Sequence, residues 1–114
     1  GICPDVVRDA AEWLTTMFLP NGTLPSWVGG PEIPAQSDIL SQAVRIWAAV
    51  DPQHFGDAIE RGLGALALLQ DPVTGGMRYN TQSRHLNSWA AAFTIQAVKW
   101  AQNGVKPTEL KWLI

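Results

Sequence analysis

Residues 88–103 read SWAAAFTIQAVKWAQN. Trp89, the Ala90-Ala91-Ala92 run, Phe93, Ile95, Ala97, Val98 and Trp100 leave only Thr94, Gln96 and Lys99 polar along the body of this segment. A helix that is apolar nearly all round must be covered by other protein. Asn87 and Ser88 precede the run as capping residue types, and Gly104 follows it where a left-handed residue ends a helix. An inner helix over about 88–103 is therefore predicted.

Working outward, "QAVKWAQ" from Gln96 echoes "QAVRIWA" from Gln42, about 54 residues earlier. The earlier copy sits in a second predominantly apolar segment, predicted as a helix after an N-cap at Ser37 and running to about Val50. Ile39, Leu40, Ala43, Val44, Ile46, Trp47 and Ala48 cover most of its circumference. One narrow polar line remains, Asp38, Ser41, Gln42 and Arg45, at i, i+3, i+4 and i+7. Gln42 and Gln96, in matching positions, fit hydrogen bonding to neighbouring backbone within a buried helix pack.

Each inner segment follows an amphipathic one. Over about 4–18, Val6, Val7, Ala10, Trp13, Leu14 and Met17 form an apolar stripe opposite Asp5, Arg8, Asp9, Glu12 and Thr16. Trp13, Trp47 and Trp100 are expected in the core. Asp51-Pro52 marks the start of the other amphipathic helix, which runs to near Gln70. Gly56, Gly62 and Gly64 cost it roughly 1 kcal/mol each relative to alanine, so close helix contact should compensate. Arg8 and Arg61 lie at similar places in the two amphipathic helices, and "LPNGTLPSW" (19–27) loosely echoes "DPVTGGMRY" (71–79). The simplest reading is an all-α chain of two tandem helical hairpins, a single domain or fragment. The first repeat covers about 4–50, the second about 51–104, and 105–114 form a C-terminal tail.

Composition bounds the partners. The chain has 114 residues, 46% hydrophobic and 16% charged, with six tryptophans, so little polar residue is available to cover a small globule. Self-association, or packing on missing parts of a longer chain, is expected, because such a repeat cannot bury its apolar face alone. A net charge of −2 argues against nucleic acid. No apolar run approaches the roughly 20 residues of a membrane span. "GICPDVVRD" lacks the basic and apolar regions of a signal peptide, which suggests a cytoplasmic protein. A lone Cys3 excludes an internal disulfide and a multi-cysteine metal site, and no metal or cofactor is expected. Asn21-Gly22-Thr23 has the form of a glycosylation sequon, a triplet common by chance.

"ALALLQDPVTGGMRY" (65–79), a polar loop and "NSWAAAFTIQAVKWA" (87–101) together resemble one hairpin of the α/α-toroid superfamily. Six-hairpin glycosidases, polysaccharide lyases and the terpenoid cyclase/prenyltransferase group share that architecture. The Gln, Gly-Gly and following aromatic are similar to its repeat turns. The resemblance implies outer and inner helices alternating around a ring, with a pocket where the outer-to-inner loops gather. A complete ring has about six hairpins, so it also implies a C-terminal fragment. The Asp-x-Asp-Asp motif of the terpene cyclases is absent, and Cys3 lies at the wrong end for the prenyltransferase zinc site. No catalytic residue carries over by motif.

Both long connections run from an amphipathic helix to an inner one and should share one edge. The N-termini of the inner helices would offer free N–H groups there to an anion. Asp38, Arg84, His85, Asn87, Ser88 and Trp89 should gather at this edge, with Trp27 and Tyr79 from the loops. Aromatic faces beside planar polar groups suit a sugar, which makes Trp27, Tyr79, Arg84, Asn87 and Trp89 candidate binding residues and Asp38 and His85 candidate catalytic ones. Structural roles compete: Asp38 in a first helical turn, Asn87 and Ser88 as caps, Arg84 on loop carbonyls, and Gly75-Gly76 as turn geometry. Glycoside hydrolysis needs two facing carboxylates. Glu32, Asp38 and Asp71 are available, but no pair is singled out by spacing. The leading expectation is a carbohydrate-binding or carbohydrate-processing module of the hydrolase or lyase class. The alternatives are a terpenoid cyclase/prenyltransferase-like fragment and a non-catalytic helical-repeat interaction module.

Overall fold

The computed structural model describes residues 4–26, 28–29 and 36–105. They form four helices: α1 (Pro4–Thr15), α2 (Ser37–Val50), α3 (Gly56–Leu69) and α4 (Ser88–Asn103). Among the described residues, extended pairing is limited to two isolated bridges, Gln70 with Met77 and Arg78 with Leu86. The fold is all-α, two helical hairpins in sequence.

Helix α2 is the centre of the packing and touches the other three, α4 most extensively. Its apolar circumference explains this: Leu40, Val44 and Trp47 are fully buried, with Ala43 and Ala48 beside them. The Trp47 indole donates to the Ala11 carbonyl of α1 at 3.0 Å, and its ring lies 5.5 Å from that of Phe18. That one side chain satisfies its polar atom while filling the space between α1 and α2. Helix α4 reaches α2 through small residues, Ala90 and Ala97, and through the buried ring of Trp100.

The ends of α4, the start of α1 and the end of α3 agree with the sequence pattern, α2 begins at Ser37 with Gln36 rather than Ser37 as its N-cap, and the end of α1 and the start of α3 differ from it. The Thr15 and Thr16 hydroxyls donate to the Glu12 and Trp13 carbonyls, and α1 gives way to a turn before residue 18. Helix α3 begins at Gly56 rather than at Asp51-Pro52. Asp51 does act as a cap, accepting from the His54 backbone N–H at 3.1 Å, but it caps a separate turn that plants Phe55 in the core. Trp13 is 51% exposed, against its expected core position, because α1 packs chiefly on α2 and leaves that edge uncovered. Gln42 is also exposed, not an internal hydrogen-bonding residue.

Two glycines in α3 show what holds this helix close. A Cβ built on Gly62 would come within 2.6 Å of Val44 Cγ2, whereas one on Gly64 would meet nothing within 4 Å. Val44 is fully buried and β-branched, so it has little room to give. Gly62→Ala should therefore lower stability by about 1–3 kcal/mol through overpacking, even after its gain in helix propensity. Gly64→Ala should raise stability by about 0.5–1 kcal/mol. Urea unfolding of the two variants checks both signs.

Candidate functional site

The connection from α3 to α4 is ordered by its own backbone. Asp71 accepts from the Thr74 backbone N–H at 2.8 Å and from its hydroxyl at 2.6 Å, while the Gln70 amide donates to the Gly75 carbonyl at 2.9 Å. Gly75 has φ +79°, and a Cβ on Gly76 would press on Leu86 at 2.9 Å. The glycine pair is thus turn geometry, as the competing structural reading has it. Beyond it a short ribbon forms. Arg78 pairs with Leu86, the Tyr79 N–H donates to the His85 carbonyl, and the Asn87 N–H donates to the Met77 carbonyl. Met77 is buried and anchors the ribbon, and the Asn80 carboxamide closes its tip by accepting from the Gln82 and Ser83 N–H groups at 2.9 Å.

This ribbon joins the N-termini of α2 and α4 into one edge. The Ser37 N–H donates to the Tyr79 carbonyl at 2.8 Å, and the Ser37 hydroxyl donates to the Arg78 carbonyl at 2.6 Å. Ser37 is the first residue of α2 and Gln36 its N-cap, without a side-chain capping bond. At α4, Asn87 is the N-cap and accepts from the Trp89 and Ala90 N–H groups at 2.9 and 3.2 Å. The expectation of free helix N–H groups for an anion is narrowed, since several of these donors are occupied. The Ser37 N–H is taken by the Tyr79 carbonyl, and the Trp89 and Ala90 N–H groups by the Asn87 side chain.

The ribbon that carries Tyr79, Arg84, His85 and Asn87 bonds to the first residue of α2, next to Asp38. Tyr79, opposite His85 on the ribbon, is half-buried, while Arg84 and His85 are exposed. Neither of those two side chains has a hydrogen bond or ion pair among the described residues. Asn87 is committed to its cap. Trp89 stands 70% exposed one turn before Phe93, their ring centroids 5.8 Å apart. Asp38, half-buried, accepts from the Ile39 N–H at 3.0 Å. Trp27 and Glu32 lie outside the described residues. Asp71 is spent on its turn: the Thr74 hydroxyl, then the Thr74 backbone N–H, hold its carboxyl below the usual aspartate pKa.

A groove extends from this edge along the outer face of α4. Its volume is about 540 Å³, and Arg45, Trp89, Phe93, Gln96, Lys99 and Trp100 line it. The Arg45 guanidinium, from α2, lies 4.6 Å from the Phe93 ring centroid and 5.2 Å from that of Trp100. Burial lowers its pKa from the usual arginine value, though a guanidinium remains charged at any physiological pH. Sequence reasoning placed Arg45 on a polar line and missed the groove. The available signal was the repeat itself, in which Arg45 of "QAVR" and Lys99 of "QAVK" correspond. A second groove of about 420 Å³ between α3 and α4 is predominantly apolar, with Leu63, Leu66, Met77, Ile95 and Val98 among its walls. Among the described residues no cluster of metal-ligating side chains occurs, and no helix is long and apolar enough to cross a membrane.

Compared with known proteins, the chain matches no family model, no curated protein and no solved structure.

Two outcomes follow from the edge. Asn87→Ala should cost about 0.5–2 kcal/mol in thermal or urea unfolding by orphaning two N–H donors, whereas Asn87→Asp should retain the cap. Asp71 has a folded pKa below its unfolded value, so its contribution is present above about pH 3.9 and is lost as pH falls through the depressed pKa. The unfolding temperature should drop below about pH 4, and Asp71→Asn should make that drop shallower.

Proposed function

We propose that this chain is an α/α-toroid-type module whose α2–α4 edge binds a carbohydrate. The observation that carries the reading is Trp89. A 70% exposed indole beside Phe93 presents an apolar face to solvent, next to a ribbon that carries Tyr79, Arg84 and His85. An exposed aromatic of this size is the natural platform for the C–H face of a pyranose, and the planar donors of Arg84 and His85 suit its hydroxyls. The ribbon is held at both ends, by Met77 in the core and by the Asn87 cap, so these groups are presented from a fixed frame rather than a floppy loop.

Binding is better supported than cleavage. Hydrolysis needs two carboxylates across the scissile bond, and Asp71, one of the candidate acids, is held by Thr74 in its turn. Among the described residues, Asp38 would serve as a hydrogen-bond acceptor for sugar hydroxyls. A second reading, the helical-repeat interaction module, draws on other apolar exposure: Leu68 is 81% and Ile95 60% exposed.

A panel of neutral and acidic oligosaccharides titrated into the chain by calorimetry tests the proposal. Asp38→Asn, His85→Ala and Trp89→Ala should keep the helical circular dichroism, with the first two weakening sugar binding at least about tenfold and Trp89→Ala abolishing it. Unchanged affinity in all three contradicts the reading. Concentration-dependent sedimentation that Leu68→Glu abolishes favours the interaction module instead.

A further inference from the structure

We infer that the exposed face of α4 docks the α1–α2 hairpin of a second copy of this chain, head to tail, so that the packing of one hairpin on the next is repeated between copies. The inference is independent of the carbohydrate reading, which uses the N-terminal end of α4.

The internal repeat matches each face of α4 to one of α2. Aligning Gln42-Ala43-Val44-Arg45 with Gln96-Ala97-Val98-Lys99 pairs the two helices residue by residue. On α2, Leu40 and Val44 face Gly62 of α3. Ser41 shares a face with Arg45, whose guanidinium meets Phe93 and Trp100 of α4. All four of these α2 residues are buried. Their counterparts on α4 are not. Thr94 and Val98 line the groove of about 420 Å³, and Ile95, 60% exposed, borders both grooves together with Lys99. Each groove of α4 thus stands where α2 already receives a helix, one as the seat of α3 and the other as the seat of α4.

The α1–α2 hairpin leaves open the surface that fits these seats. Aligning Arg8 with Arg61 pairs Val6, Asp9 and Trp13 of α1 with Ile59, Gly62 and Leu66 of α3. In α3 those three share one buried face, and Gly62 meets α2. In α1 Val6 is 62% and Trp13 51% exposed, with Asp9 exposed between them. A row of exposed large apolar side chains marks an interface. The sizes are complementary. Leu40 and Trp47, which bound the space beside Gly62, correspond to the smaller Thr94 and Ala101 of α4, while α1 offers the larger Asp9 and Trp13. The charges are complementary too, because α4 has no acid and Asp9 would come beside Lys99, a pairing that sets register more than affinity. On the inner side, Ile39 and Ile46 of α2 stand where Phe93 and Trp100 stand in α4, and both are only partly buried. They are placed to cover Ile95 and the aliphatic stem of Lys99. A contact between two different faces is heterologous and adds copies one after another.

Sedimentation velocity under reducing conditions, so that Cys3 forms no crosslink, tests the contact. The samples are the chain, Ile95→Glu on the α4 face and Trp13→Glu on the hairpin face. Ala92→Glu and Val6→Glu are the second variants of the two faces, used if a first variant loses its helical circular dichroism. The chain should form dimers and larger species as concentration rises, and each variant alone should stay monomeric. Each variant keeps one intact face, so a mixture of Ile95→Glu with Trp13→Glu should form a one-to-one pair and nothing larger. A chain that stays monomeric up to about 1 mM overturns the inference. So does association that neither variant weakens, including one that Leu68→Glu alone abolishes. Variants that are monomeric alone and remain so on mixing also overturn it, because the pairing they disrupt is then not head to tail.

Discussion

Everything else in this fold hangs on the burial of α2, and within α2 on Trp47. A fully buried indole demands a hydrogen-bond acceptor and a close-packed surround at the same time. The Ala11 carbonyl supplies the first, and Phe18 with the Cβ-free surface at Gly62 supplies the second. One side chain thereby fixes where α1, the turn after it and α3 may lie. Truncating such a residue in a core costs on the order of 3–5 kcal/mol, a large share of the stability of a small domain.

With α2 fixed, the edge follows. Ser37 at its first turn binds the ribbon through the Arg78 and Tyr79 carbonyls, and the ribbon in turn delivers Asn87 to cap α4. Arg45, two turns further along α2, meets Phe93 and Trp100 and sets the rotation of α4. Trp89 and Lys99 of the same helix are exposed.

Much of this was legible in the residues, for identifiable reasons. The limits of α4 follow from Asn87 and Gly104, whose φ of +76° few residues other than glycine adopt. The inner character of α2 follows from its apolar circumference, and the glycine turn from Asp71-Pro72 through Gly76. Local chemistry fixes all three. The start of α3 was not legible, because Asp51 and Pro52 serve a turn as readily as a helix and only the burial of Phe55 separates the two. Trp13 read as core and α4 as a helix covered nearly all round, yet Trp13 and Ile95 are exposed, because hydrophobicity reports the wish to be covered, not whether an element exists to do it. The Arg45–Phe93 contact depends on the relative rotation of two helices 48 residues apart in sequence, which no local pattern encodes.

The most direct measurement is a nitrogen-15 NMR titration of the indole N–H resonances with the oligosaccharide that binds most tightly. The chain has six tryptophans, and the environments of those among the described residues differ sharply. Sugar at the α2–α4 edge should shift the Trp89 indole strongly and leave Trp47, bonded to Ala11, in place. Shifts confined to Trp13 on α1, or no indole shift at saturation, would contradict a carbohydrate site on this face.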